Sequence, residues 1–152
     1  MNIGFTGTQK GMTDNQKYHV ARLLFDLKGT EFHHGDCVGA DAQAHEIALK
    51  TGYYIIIHPP VNPDKRAFCE TGSTLPEKEY LERNKDIVDT TDVLIATPKT
   101  ETDELRSGTW STIRYAKKKG KKVYIIRPQE KMPEPVFKSE KEIDILLETD
   151  KE

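Results

Sequence analysis

Short apolar runs alternate with amphipathic segments along most of the chain. The apolar runs predict five β-strands, over residues 1–6, 30–34, 53–58, 93–97 and 122–127. Apolar residues at helical spacing predict four helices, over residues 14–28, from Ala40 onward, and over 77–90 and 108–119. This alternation indicates an α/β fold, a doubly wound and mostly parallel five-stranded sheet with helices on both faces.

The pattern also divides the chain. Residues 1–127 are expected to form one Rossmann-like domain, and residues 128–152 are expected to form an acidic, partly ordered C-terminal tail with a short helix over 139–147. Residues 59–76 contain four prolines and match no regular element. A connection of that length is typical of a lid or a binding loop.

Charge and composition argue against nucleic acid and membranes as partners of this chain. The chain has 23 basic and 25 acidic residues and a net charge of −2, so it lacks the overall positive field with which many proteins collect nucleic acid. Its two cysteines lie in dissimilar surroundings, which indicates free thiols in a reducing compartment. No apolar run approaches ~18 residues and the N-terminus does not resemble a signal peptide, so we expect a cytoplasmic protein without a membrane partner.

The stretch GDCVGADAQAH (residues 35–45) is the main candidate for a binding site. It follows a predicted strand and opens a helix, so its amides should lie at the positive helix end, where anions bind. Gly35 and Gly39 permit tight turning, while Asp36 and Asp41 could hold ribose hydroxyls. The alternative is an ordinary strand-to-helix turn capped by Asp36.

Two other loops share the expected sheet edge. One follows the first strand and contains Gly7, Thr8 and Gln9, and the other precedes the helix that starts at Gly108. Because the carboxyl ends of parallel strands meet at one edge, the three loops can converge on one ligand. Around Gly108, the alternative is a simple helix start capped by Ser107, and Trp110 could either stack on a base or pack internally.

A metal site is not expected. His33, His34, Cys37 and Asp36 are close in sequence, but adjacent strand residues point to opposite faces and a four-ligand spacing is absent. The sequence likewise predicts no resident cofactor.

Three motifs carry a resemblance to a known family. GADAQAHEIALKTG resembles the G-I-D-x-x-A-H-x-A-L-x-x-G run of DNA-processing proteins, and ERNKDIV resembles their R-N-R-x-I segment. RSGTWSTIRYAKKKGKKVYII is similar to their closing S-G-[ST]-x-x-T motif. The chain thus resembles the SLOG superfamily of Rossmann-like nucleotide-binding domains, which includes the DNA-processing protein A family and the LONELY GUY phosphoribohydrolases.

The resemblance implies a ligand pocket and a homo-oligomer. Together with the loop analysis it gives the candidate ligand-binding residues, which are Gly7, Thr8, Gln9, Gly35, Asp36, Gly39, Ala40, Asp41, Arg83, Asn84, Ser107, Gly108, Thr109, Trp110 and Thr112. In the phosphoribohydrolases the closing loop carries a catalytic glutamate, and the corresponding residue here is Thr112.

Three functional hypotheses follow. The first is a small-molecule binding protein for a nucleotide or nucleotide sugar resembling AMP or ADP-ribose, acting as a sensor, carrier or sequestering protein. The second is an N-glycosidic (phospho)ribohydrolase acting on nucleoside monophosphates or NAD-derived nucleotides, with Asp36 as the candidate catalytic carboxylate. The third is single-stranded DNA binding, which the acidic balance disfavours.

Overall fold

Six short strands and four helices alternate along the residues that the computed structural model describes, 1–131. In chain order the elements are β1 (Asn2–Gly7), α1 (Asp14–Leu27), β2 (Glu31–His34), α2 (Ala40–Lys50), β3 (Tyr54–Ile57), a 3-10 turn (Pro63–Lys65), β4 (Ser73–Thr74), α3 (Tyr80–Asp89), β5 (Val93–Thr97), α4 (Gly108–Lys118) and β6 (Lys122–Ile125). All strands pair in parallel, in the spatial order β4-β3-β2-β1-β5-β6.

The structure confirms the predicted α/β fold and its doubly wound parallel sheet, with six strands instead of five. The additional strand, β4, has two residues, which pair with Ile56 and Ile57 of β3. It lies inside the proline-rich stretch 59–76, where two paired residues leave no periodic signal. The predicted tail helix lies outside the described residues, and the domain boundary at residue 127 stays a prediction.

Alternating residues of the sheet serve two separate parts of the core. On β5, Val93 and Ile95 join the apolar cluster that contains α1 and α2, whereas Leu94 and Ala96 join clusters formed with α3 and α4. A strand buried on both faces reads as a continuous apolar run, and all five residues of β5 are buried. Helices therefore cover both faces of the sheet.

Polar contacts at the helix starts fix the loops at the carboxyl edge of the sheet. Thr13 caps α1 in a capping box with Gln16. The Gln16 amide also donates to Pro98 O at 2.8 Å and to Ile126 O at 2.9 Å. Thr8 N donates to Thr97 O at 3.1 Å. The start of α1 and the ends of β1, β5 and β6 are thereby held at one edge.

None of the helices in residues 1–131 is both long enough and apolar enough to cross a bilayer.

Candidate functional site

A cavity of about 360 Å³ opens at the carboxyl edge of the sheet, beside β1 and the N-terminus of α4. Six of the candidate residues line it, namely Gly7, Thr8, Gln9, Ser107, Gly108 and Thr109. Five further residues complete the lining, namely Lys10, Tyr80, Lys99, Glu104 and Arg106. Two of the three predicted loops therefore meet around one cavity.

Backbone amides at this cavity are free to bind a ligand. Ser107 Oγ caps α4 by accepting from Trp110 N at 3.2 Å, so the predicted cap is present. The amides of Gly108 and Thr109, the first two of the helix, donate to no acceptor within residues 1–131, and neither does that of Gln9 across the cavity. Unpaired amides at a helix start carry the positive end of the helix dipole and favour an anion.

The side chains around these amides add positive charge. Lys10, Lys99 and Arg106 are exposed, and in the described part of the chain none of them forms an ion pair. Among the described residues, Glu104 is the single carboxylate in the lining. A surplus of cations on a chain with a net charge of −2 indicates a local site for a negatively charged molecule.

The loop at residues 35–41 behaves differently, because protein groups accept from five of its seven amides, and only those of Gly39 and Asp41 have no acceptor within residues 1–131. Asp41 Oδ2 accepts from Gly35 N at 3.2 Å and from Cys37 N at 3.1 Å. Asp36 N donates to His34 Nδ1 at 2.9 Å, and Val38 N and Ala40 N donate to backbone carbonyls. The protein's own carboxylate thus occupies the place in which the sequence predicts a ligand anion.

Burial tunes the charge of that carboxylate. It raises the pKa of Asp41 to about 6, while the positive charge of Arg83 and the two backbone amides act in the opposite direction. Asp41 is 6% exposed and does not line the cavity. Its role in the structure is to fix the turn.

Asp36, the candidate catalytic residue, is fully buried. Its Oδ2 accepts from Arg66 Nε at 2.8 Å and its Oδ1 accepts from Cys69 N at 2.9 Å, so both oxygens bind the stretch 59–76. Its carbonyl accepts from Ala67 N at 2.7 Å. Asp36 thereby fastens that stretch to the sheet edge, and a catalytic role for it stays a prediction.

Gly39 and Ala40 contact the backbone of Thr8 and Gln9, two residues that line the cavity. A Cβ on Gly39 would lie 2.4 Å from Gln9 O, and Gly39 has a φ of 91°, so the residue must be glycine for the two loops to touch. Ala40 N donates to Thr8 O at 3.0 Å. The 35–41 loop therefore positions the Thr8–Gln9 backbone that lines the cavity.

Arg83 lies inside the protein and not at the cavity surface. It is 2% exposed, and its guanidinium donates to Gly35 O, to His58 O at 3.1 Å and to Cys37 Sγ at 3.5 Å. Its Nε donates to Asn84 Oδ1 at 2.8 Å. Arg83 thus joins the carboxyl ends of β2 and β3.

Trp110 and Thr112 also lie outside the cavity lining. Trp110 is 3% exposed, packs against Ala96 and Ile113, and donates its indole N–H to Thr100 Oγ1 at 3.0 Å. Thr112 Oγ1 donates to Gly108 O at 2.9 Å within α4. Of the two alternatives for Trp110, internal packing describes its position here.

A histidine chain lies next to the 35–41 loop. Because Asp36 N donates to His34 Nδ1, a neutral His34 carries its proton on Nε2, which donates to His45 Nδ1 at 2.9 Å. His45 Nε2 then donates to Glu70 O at 2.7 Å. Ring atoms of His34 and His45 and the Cys69 sulfur lie within 4.8 Å of one another, but hydrogen bonds already occupy all four ring nitrogens.

The sequence reasoning did not identify Lys10, Lys99, Arg106 or Tyr80. The three cations lie in or beside the loops that follow β1 and β5, so a search of those loops for charge would have found them. Tyr80 begins α3, and nothing in its sequence surroundings indicates that it reaches the N-terminus of α4.

Comparisons with solved structures agree with this fold. The chain is similar to a molybdenum cofactor binding protein from the phototrophic bacterium Rippkaea orientalis, with 24% identity, a TM-score of 0.64, and 83% of this chain and 76% of that one covered. The Moco carrier protein from Chlamydomonas reinhardtii gives 20% identity, a TM-score of 0.62, and coverage of 85% and 78%. The protein TM1055 gives 14% identity, a TM-score of 0.56, and coverage of 80% and 71%.

At these identities the shared feature is the Rossmann-like α/β fold. Neither a protein-family model nor a curated protein matches the sequence. Membership of the SLOG superfamily stays a prediction.

The contact between the two loops predicts a large effect of Gly39→Ala. A Cβ there would collide with Gln9 O at a strained backbone angle, so we expect the free energy of unfolding to fall by at least about 3 kcal/mol. Gly52→Ala is the matched control, because Gly52 has a φ of 85° with nothing within 4 Å, and it should cost about 1 kcal/mol. Urea unfolding measures both, and equal losses would contradict the proposed contact.

The histidine chain predicts a loss of stability in acid. Burial, followed by the neighbouring His45, lowers the pKa of His34 from 6.5 to about 3. Below pH 6.5 the His34 side chain binds a proton in the unfolded chain but stays neutral in the folded protein. The contribution of His34 to the free energy of unfolding is therefore fully present above pH 6.5 and is lost as the pH falls. Between pH 7.5 and 5 it amounts to about 2 kcal/mol.

His34→Asn keeps an acceptor for Asp36 N and cannot titrate. We therefore expect wild type to lose about 2 kcal/mol more than this variant between pH 7.5 and 5, measured by urea unfolding at each pH. Asp41, whose raised pKa acts in the opposite direction, is present in both proteins and largely cancels in the comparison. The same pH dependence in both proteins would show that His34 is not the buried neutral group.

Proposed function

We propose that this protein is a small-molecule binding protein that holds a phosphate-bearing ligand, a nucleotide or nucleotide sugar resembling AMP or ADP-ribose, and acts as a carrier, sensor or sequestering protein. The observation that carries the proposal is the meeting, on one cavity, of backbone amides and cationic side chains that have no protein partner within residues 1–131. Gly108 N and Thr109 N have no protein acceptor among residues 1–131, and Lys10, Lys99 and Arg106 surround them.

The chemistry of this arrangement favours a phosphate group. Amides at a helix start bind the oxygens of a phosphate, and Arg106 can donate two parallel hydrogen bonds to the same group. The site lies outside the carboxyl ends of β1 and β5, where the strand order changes direction and where open α/β sheets bind ligands.

Binding is better supported than cleavage. Glycosidic hydrolysis requires a carboxylate beside the sugar, and both oxygens of Asp36 already bind protein groups. Glu104, the carboxylate in the lining, is exposed to solvent and lacks the buried surroundings that are typical of a catalytic acid. The lining residues thus suit binding of a negatively charged ligand better than cleavage of it.

The molybdenum cofactor is a second candidate ligand, because two of the similar structures are named as binding or carrier proteins for it. The test therefore includes this cofactor beside the nucleotides. Both candidates would use the same site, and their relative affinities separate them.

The proposal predicts that Arg106→Gln weakens ligand binding about tenfold, since a charge-assisted hydrogen bond contributes roughly 1.5–3 kcal/mol. Isothermal titration calorimetry with AMP, ADP-ribose and the molybdenum cofactor measures the affinity. Lys118→Gln is the control, because Lys118 is exposed at the opposite end of α4 and should bind like wild type. Raising the salt concentration should weaken binding, because the cations are exposed.

Two results would contradict the proposal. In the first, no member of the panel binds wild type, or Arg106→Gln and Lys118→Gln bind alike. In the second, incubation with AMP or ADP-ribose releases free base in a chromatographic assay and Asp36→Asn abolishes the release, which would establish the N-glycosidase hypothesis instead.

A further inference from the structure

We infer that a second cavity, joined to the first through Gln9 and Tyr80, holds a planar heterocycle that stacks on the ring of Tyr80. This inference rests on the proposed phosphate site and adds the position and class of the group that the ligand carries beyond its phosphate. The second cavity measures about 250 Å³ and is lined by Gln9, Pro60, Val61, Asn62, Lys65, Glu79 and Tyr80.

The two cavities lie next to each other. Gln9 and Tyr80 line both of them, so a molecule anchored at the start of α4 can continue past these residues into the second cavity. Gly108 lies at the junction, because a Cβ there would collide with the Tyr80 hydroxyl. The glycine lets Tyr80 lie directly against the helix start that offers the free amides.

The surroundings of Tyr80 suit the stacking of a flat ligand group on its ring. The guanidinium of Arg83 lies over the ring, with its Cζ 5.1 Å from the ring centroid. Arg83 is buried and held by hydrogen bonds to Gly35 O and His58 O, so it fixes the ring from behind. Tyr80 as a residue nevertheless remains 39% exposed, and it lines both cavities. A fixed, partly exposed aromatic ring suits stacking by a flat aromatic group.

The opposite wall is apolar and held in place. Val61 is 42% exposed, although its backbone is fixed, since Val61 N donates to Lys78 O at 3.2 Å and Lys78 N donates to Pro59 O at 3.2 Å. Pro60 forms a bridge with Lys78. Exposed apolar side chains on a fixed backbone inside a cavity are a feature of ligand sites.

The rim of this cavity is polar. Asn62, Lys65, Glu79 and Gln9 supply two amides, an ammonium and a carboxylate beside the apolar residues of the lining. Such groups suit the ring nitrogens and exocyclic groups of a heterocyclic base. A purely aliphatic ligand would leave them unused, so the class of group is a nitrogen heterocycle.

The test compares two probes on two variants of Tyr80. AMP carries a phosphate, a ribose and a base, and ribose 5-phosphate lacks the base. We expect Tyr80→Leu to weaken AMP binding about tenfold, the loss of one stacking contact, and to leave ribose 5-phosphate binding unchanged. Tyr80→Phe keeps the ring and should bind both probes like wild type. Arg106→Gln should weaken both probes.

A second measurement reports stacking directly. The fluorescence of 2-aminopurine riboside 5′-monophosphate falls when its base stacks on an aromatic ring. Binding to wild type and to Tyr80→Phe should quench this emission, and binding to Tyr80→Leu at saturating protein should restore it. A residue that merely supported the fold would not change the emission of the bound probe.

The outcomes separate the two proposals. If wild type binds ribose 5-phosphate and AMP equally, or if Tyr80→Leu weakens both probes alike, the heterocycle inference is overturned and the phosphate site stands. If neither probe binds wild type, the heterocycle inference is overturned, and the phosphate site is overturned with it when ADP-ribose and the molybdenum cofactor also fail to bind. Selective loss of AMP binding with loss of quenching supports the inference.

Discussion

The buried guanidinium of Arg83 is the contact on which the candidate site depends. Its hydrogen bonds to Gly35 O and His58 O join the ends of β2 and β3, and the ring of Tyr80 lies against its face. From Gly35 the 35–41 loop runs beneath Thr8 and Gln9, so one arginine supports the backbone of one cavity and the aromatic wall of the other. Removing this guanidinium would leave the buried carbonyls of Gly35 and His58 without their donor, which costs more than losing a surface ion pair.

Two glycine-containing loops at the same sheet edge have different roles in the structure. The 35–41 loop satisfies five of its seven amides with Asp41, His34 and backbone carbonyls, which makes it a rigid support. The loop before α4 has a serine cap that satisfies the amide of Trp110, whereas the amides of Gly108 and Thr109 have no acceptor within residues 1–131 and belong to residues that line the cavity. Both loops have the composition of an anion-binding turn, and only the distribution of internal acceptors distinguishes them.

This difference shows how far the sequence could lead. The periodicity of apolar residues predicted the α/β fold, and the glycine and polar residues between the elements predicted where the loops lie. This was possible because a sheet buried on both faces requires apolar strands and amphipathic helices, which are visible in the sequence. Sequence could not reveal that Asp41 folds back onto Gly35 N and Cys37 N, since a carboxylate that caps its own turn looks the same as one that awaits a ligand. Tyr80 and Arg83 illustrate the same limit, because their roles depend on packing between elements far apart in the chain.

The stretch 59–76 has the length and proline content of a lid, and yet it is fastened to the rest of the protein. Asp36 binds Arg66 Nε, Ala67 N and Cys69 N, His45 binds Glu70 O, and Leu75 N donates to Ile57 O. These hydrogen bonds oppose opening of the stretch 59–76. A ligand would therefore enter and leave the proposed site without a lid movement. The rate at which the proposed site exchanges its ligand would then depend on diffusion and on the strength of the contacts alone.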